Sequence, residues 1–164
     1  MKVQEVMTAN VKCCKPDNNL SEVVALMWDN DCGSLPVLAD DGTVAGLVTD
    51  RDIAVAVGTK NRLPSDIKVG EVMTRRVFGC APDDDIHTAL KTMRRDHVRR
   101  LPVIDEEGRL RGILSMNDVA LHSQKFDGHK TPNLGYDDVV NTFKAICEHR
   151  HLKESLPYKV ASAQ

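Results

Sequence analysis

The chain carries the same unit twice. Residues 3–54 align with residues 69–120 without a gap, at a constant offset of 66. Val6-Met7-Thr8 returns as Val72-Met73-Thr74, Pro16-Asp17 as Pro82-Asp83, and Leu35-Pro36-Val37 as Leu101-Pro102-Val103. Gly42, Gly46 and Asp52 return as Gly108, Gly112 and Asp118. A fixed period sets the architecture before any local reading does. The period is longer than that of solenoid arrays and there are only two copies. Two small units facing each other are therefore expected, with ligand-sized clefts where they meet.

Size and charge narrow the function classes. At 164 residues the chain fits one domain of ordinary size, or two halves sharing one core, since either half alone is marginal. A net charge of -2 leaves no basic footprint for nucleic acid. No apolar stretch reaches the length of a membrane span, and the first residues do not lead into a signal-peptide core. A cytoplasmic protein with no membrane or nucleic-acid partner is expected. Five cysteines, an odd number at irregular positions, do not read as a disulfide framework.

Each copy reads as strand, helix, strand, strand, helix. In the first, a short extended piece spans 11–14 and ends at Pro16, because proline disfavours helix in the residue before it. Leu20, Val23, Val24 and Met27 form one helical face, opened by an Asn19–Glu22 capping box. Apolar runs 35–38 and 44–48 flank Asp40-Asp41-Gly42 as a hairpin. A second helix starts near Thr49, carries Ile53 and Val57, and stops at Gly58. The second copy repeats this with Ile86, Ala89, Leu90 and Met93, a hairpin around Glu106-Glu107-Gly108, and a last helix opened by Ser115. The expected organisation is a first repeat at 3–58, a linker at 59–68, a second repeat at 69–124, and a loop, helix and tail at 125–164. The extra helix, from Tyr136 to about His151, shows Val139, Val140, Phe143 and Ile146 along one side. That stripe must cover the pair, a second subunit or a partner helix.

The chemistry concentrates where the last strand of each copy enters its last helix. These segments read Gly46-Leu47-Val48-Thr49-Asp50-Arg51-Asp52 and Gly112-Ile113-Leu114-Ser115-Met116-Asn117-Asp118. A hydroxyl residue at a helix start, with free backbone N–H groups and the positive end of the helix dipole, suits a phosphate. A carboxylate three residues later accepts hydrogen bonds from two ribose hydroxyls. The same Thr49-x-x-Asp52 and Ser115-x-x-Asp118 spacing is also that of a capping box.

These motifs, met twice in the same order over residues 3–120, resemble a tandem pair of CBS domains, the Bateman module. The resemblance implies an α+β fold of two β-α-β-β-α repeats related by a pseudo-two-fold axis, plus a C-terminal helix. It implies clefts for an adenosyl ligand (AMP, ADP, ATP or S-adenosylmethionine), no tightly required cofactor, and a regulatory rather than catalytic role. It also implies a homodimer signalling to an unknown downstream protein. Carried over by residue, it makes Asp52 and Asp118 ribose ligands, and Thr49 and Ser115 polar contacts to ribose or phosphate. The segments Thr8–Val11 and Thr74–Val77, with Leu35-Pro36 and Leu101-Pro102, would line adenine slots through backbone groups and apolar contact, with Val11, Pro36, Val77 and Pro102 among the contacts. Arg99 stands at a position where relatives often carry a phosphate-binding arginine, whose fork suits that role. The first copy has Gly33 there, and Arg51 and Asn117 replace a small hydroxyl of some relatives, so unequal clefts are expected.

Other signals are weaker. Arg94, Arg95, Arg99 and Arg100, with Arg75 and Arg76, read as a solvated face or an anion-binding rim. Residues 67–120 hold ten lysines and arginines against nine acids, and residues 1–66 hold six against ten, so phosphate favours the second half. Cys147, His149 and His151 read as a helix end rather than a metal site, since His149 leaves the face of the other two. Cys13, Cys14 and Cys80 read as small core thiols. No nucleophile–base pair or glycine-rich phosphate loop supports an enzyme. The leading expectation is a nucleotide sensor, and the other is a dimerisation scaffold that binds no nucleotide.

Overall fold

The computed structural model describes residues 1–128 and 133–148. Its elements are β1 (Thr8–Ala9), α1 (Leu20–Asp29), β2 (Ser34–Leu38), β3 (Val44–Thr49), α2 (Asp50–Lys60), α3 (Ile86–Asp96), β4 (Arg100–Ile104), β5 (Leu110–Ser115), α4 (Met116–His122) and α5 (Tyr136–Cys147). β2 and β3 pair antiparallel through the turn at Gly42, and β4 and β5 through Gly108. Both glycines sit at positive φ, 84° and 80°, where a side chain would be strained. The α+β class, the doubled unit and the C-terminal helix all stand as expected.

Each copy lends its first residues to the other. The amide of Val3 donates to Asp84 O at 2.9 Å, and that of Val69 donates to Asn18 O at 2.9 Å. Ile86 N reaches Met1 O and Leu20 N reaches Ile67 O, both at 3.0 Å. Lys2 and Lys68 cross in the same way, to Asp83 at 2.6 Å and Asp17 at 2.9 Å. Val3 and Val6 are buried with Ile86, Leu90, Met93 and Leu114 of the second copy. Ile67, Val69 and Met73 are buried with Leu20, Val23, Leu35 and Val48 of the first. Two apolar cores result, each completed by the segment that opens the opposite repeat.

Several local expectations change. The extended piece lies earlier than 11–14: β1 is Thr8–Ala9, paired with Ile113 and Gly112 of β5, and Cys14 keeps only a parallel bridge to Val37. Gly58 does not stop α2, which runs to Lys60 and ends at Asn61 in the left-handed conformation. Its buried stripe is Ile53 and Ala56, whereas Val57 is exposed. Thr59 and Lys60, read as linker, are therefore helical, and Ile67 anchors the other end of that segment in the first core. α5 turns Val139, Thr142 and Ile146 towards the second repeat, packing on α3 and α4, while Val140 and Phe143 face outward. The expected extension of this helix to His151 and the tail beyond it lie outside the described residues.

The crossing explains two of the recurring glycines. A Cβ on Gly112 would stand 2.6 Å from Thr8 O and 2.9 Å from Met7 Sδ, and one on Gly46 would stand 2.9 Å from Thr74 O. An Ala at 112 must push β1 off β5. Gly112→Ala is expected to cost about 1–3 kcal/mol. Gly58→Ala, in open space within α2, is expected to stabilise by about 0.5–1 kcal/mol. Urea unfolding midpoints of the two variants check both signs, and a neutral Gly112→Ala would refute the close crossing.

Candidate ligand clefts

Because the opening segments cross, each cleft is built from both copies. The first, about 360 Å3, joins Thr8, Val11 and Leu35 of copy one to Ile113, Ser115, Asn117 and Asp118 of copy two. The second, about 250 Å3, joins Leu47, Thr49 and Arg51 of copy one to Thr74, Val77, Arg99 and Pro102 of copy two. Expected residues thus gather in two opposite sets: Val11, Ser115, Asn117 and Asp118 in the first, and Thr49, Arg51, Val77, Arg99 and Pro102 in the second. Pro36 is an exception. It is buried and does not line the first cleft, its carbonyl accepting from Cys14 N at 3.0 Å, while its neighbour Leu35, expected with it, does line it.

The two aspartates differ in what holds them. Asp118 Oδ2 accepts from Ser115 N at 2.7 Å and Ser115 Oγ at 2.5 Å, while Oδ1 accepts from the Thr8 hydroxyl at 2.7 Å. It caps α4, ties down the crossing strand and lines the first cleft. Asp52 Oδ2 accepts from Thr49 N at 2.9 Å and Thr49 Oγ1 at 2.7 Å. Thr49 lines the second cleft and Asp52, which holds it, does not itself line that cleft. Both capping boxes are formed, so the N3 amides expected to be free for phosphate point at Thr49 Oγ1 and Ser115 Oγ, at 3.2 and 3.3 Å.

Charge separates the clefts further. Among the described residues, the second is lined by Arg51, Arg76, Arg99 and Arg100 against a single acid, Asp50. Arg76 also lies over the Phe78 ring, 5.0 Å from its centre, a cation–π contact that holds it in place. The first cleft balances Lys12 and Arg100 against Asp31 and Asp118. The basic cluster is thus split by the fold. Arg76, Arg99 and Arg100 form a cleft wall, whereas Arg94 donates to Thr142, Arg95 pairs with Asp96, and Arg75 donates to Gly70 O. Arg76 falls in the rim read from the sequence, whereas the roles of Phe78 and Lys12 are not legible as cleft contacts, because nothing in local spacing marks what a crossed partner brings close.

Such a wall of guanidinium groups beside an apolar floor suits an anion attached to a flat apolar group. A model of the CBS domain matches residues 3–58 and 69–125. The chain belongs to the CBS domain family. It is 31% identical over 144 residues to hypoxic response protein 1 of Mycobacterium tuberculosis, covering 88% of this chain and 92% of that one. The crystal structure of hypoxic response protein I with two coordinated zinc ions superposes with a TM-score of 0.68 at 31% identity, covering 76% of this chain and 100% of that one. CBSX2 in complex with AMP superposes with a TM-score of 0.64 at 27% identity, covering 73% of this chain and 93% of that one. Among the described residues no group of three or more His, Cys, Asp or Glu side chains is placed to hold a metal ion, and His149 and His151 lie outside them.

The cysteines occupy distinct environments. Burial pushes the Cys14 and Cys80 thiols up to about 12 from an ordinary value of 9.0, and raises Cys13 as well. Cys32 lines the first cleft and Cys147 is exposed. Folding keeps Cys14 and Cys80 protonated, so their contribution to stability is complete below pH 9 and declines as the pH rises towards 12. At pH 8 a thiol reagent is expected to modify Cys147 rapidly, and Cys14 and Cys80 only on unfolding. Mass-spectrometric mapping of the labelled cysteines tests this, and early labelling of Cys14 would contradict it.

Proposed function

We propose that this CBS pair is a regulatory module that binds an adenosyl nucleotide in its inter-repeat clefts and signals by a change in the relative geometry of the two copies. The observation that carries this reading is the composition of each cleft. A hydroxyl at a capped helix start, apolar walls and cationic side chains meet there only because both copies contribute. The family membership supports it, as does the AMP complex of a relative with the same fold. The first cleft falls within the usual size of small-molecule sites, roughly 300–1,000 Å3, and the second lies just below it. In this reading Ser115 and Asp118 serve the sugar in the first cleft, with Val11 and Leu35 against the base. Thr49, Val77, Pro102 and Arg99 serve the second, and Asp52 acts through Thr49. A ligand that touches both copies shifts their arrangement only by its differential affinity for the two states.

Binding at about 100 times the dissociation constant adds about 2.7 kcal/mol of stability, which raises the melting temperature of a chain this size by about 5–10 °C. AMP, ADP, ATP or S-adenosylmethionine at millimolar concentration is expected to produce such a rise, and Asp118→Ala to reduce it. No shift with any of the four would leave only the scaffold reading.

A specific surface favours homodimerisation alongside sensing. Trp28, 85% exposed, and Val24 lie on the outer side of α1. At the position matching Val24 the second repeat has Leu90, fully buried where α5 packs on α3 and α4. The first repeat thus presents uncovered the face that the second covers with its own helix, and a second copy of the chain is the proposed cover. Trp28→Glu is expected to convert a dimer to a monomer in light scattering with unchanged circular dichroism. A monomeric wild type, or a dimeric variant, would refute this interface.

A further inference from the structure

Arg100 belongs to both clefts. It lines the first with Lys12, Asp31 and Asp118, and the second with Arg51, Arg76 and Arg99. The reason is a local asymmetry between the repeats. Arg99-Arg100 of copy two corresponds to Gly33-Ser34 of copy one, and Ser34 is buried. β-Pairing sets Arg100 opposite Ser115, the cap residue of the first cleft. Its guanidinium then extends across the module to the Gly33 corner. Nη2 lies 3.5 Å from where a Cβ on Gly33 would stand, and Asp50 Oδ2 lies 2.8 Å from the same point. Copy two supplies the cation, and copy one, through a glycine, supplies the room for it. Among the described residues Arg100 forms no ion pair within 4.0 Å, so its fork is uncommitted.

We infer that Arg100 is a shared phosphate receptor that makes the two clefts bind phosphorylated ligands in competition with each other, a statement that rests on the nucleotide-binding reading above. A guanidinium engages one phosphate at a time in its bidentate geometry. The second cleft has three further arginines and fills first with an anionic ligand. Drawing Arg100 to that phosphate leaves the first cleft with Lys12 against Asp31 and Asp118. A second phosphate is then opposed by the remaining carboxylates, while an uncharged nucleoside is not. The coupling is reciprocal, as any linkage between binding sites must be. The module thus reads the phosphorylation state of its second ligand by whether the first has already taken the shared cation.

The test is calorimetric titration of AMP and of adenosine into wild type and into Val77→Trp. That substitution fills the second cleft without changing charge, and Arg99→Glu is the alternative block should it fail to fold. AMP is expected to bind the first cleft of the blocked variant about tenfold more tightly than it binds wild type in its second step. Adding Arg100→Gln to the block should abolish that gain, and adenosine should show no difference between the forms. If wild type binds AMP in two steps and the blocked variant matches the second, the coupling is refuted while nucleotide binding stands. If wild type binds neither AMP nor adenosine, the nucleotide reading itself fails and the coupling with it.

Discussion

The reciprocal loan of opening segments is the constraint on which everything else depends. Neither repeat closes its own core: Val3 and Val6 belong with Leu90 and Leu114, and Ile67 and Val69 belong with Leu20 and Val48. Apolar burial is worth about 25 cal/mol per Å2, so residues fully buried in the opposite repeat bind the halves into one cooperative unit. The crossing also places Thr8 beside Asp118, and Thr74 beside Leu47 at the edge of the second cleft. Clefts made from two copies therefore follow from how the cores are completed.

Duplication makes two clefts, and divergence makes them different. Gly33 against Arg99, Ser34 against Arg100 and Asp50 against Met116 are three changes at matched positions. Met116 is buried in the second core, while Asp50 stays exposed at the rim of the second cleft. Each change moves charge between copies without disturbing the shared backbone, because the strands and caps around them are conserved in kind within the chain. The result concentrates cations in one cleft and balances them in the other. A module with identical sites could report only concentration, whereas unequal sites can distinguish ligands that differ in charge.

Much of this was legible in sequence because the signals are local. The helical stripe of α3, that of α1 except for the exposed Val24, the Asn19–Glu22 box and both hairpin glycines follow from short-range spacing and are formed. What escaped depended on contacts between the copies. Periodicity could not show that β1 pairs with β5 rather than with its own repeat, so the extended piece was expected three residues too late. Gly58 reads as a helix stop, but nothing packs on it, and the helix continues to a left-handed asparagine. The outer stripe of α5 mixes two faces because Thr142, polar by type, is the residue that is buried.

The capping box at Ser115 does not take Asp118 away from the cleft. Asp118 uses one oxygen for Ser115 and the other for Thr8, yet it also lines a cavity of about 360 Å3. A carboxylate oxygen carries two lone pairs, so a sugar hydroxyl approaching from the cleft can share Oδ1 with Thr8 or displace it. Either event acts on the strand that copy one lends to copy two. The hydrogen bond to Thr8 is worth about 1.5–3 kcal/mol as a contact to a charged group, which is comparable to the free energies that couple distant sites. Asp118 thus lines the first cleft and at the same time fastens the two repeats together, so under the proposed function a ligand on Asp118 would act directly on the packing of the pair.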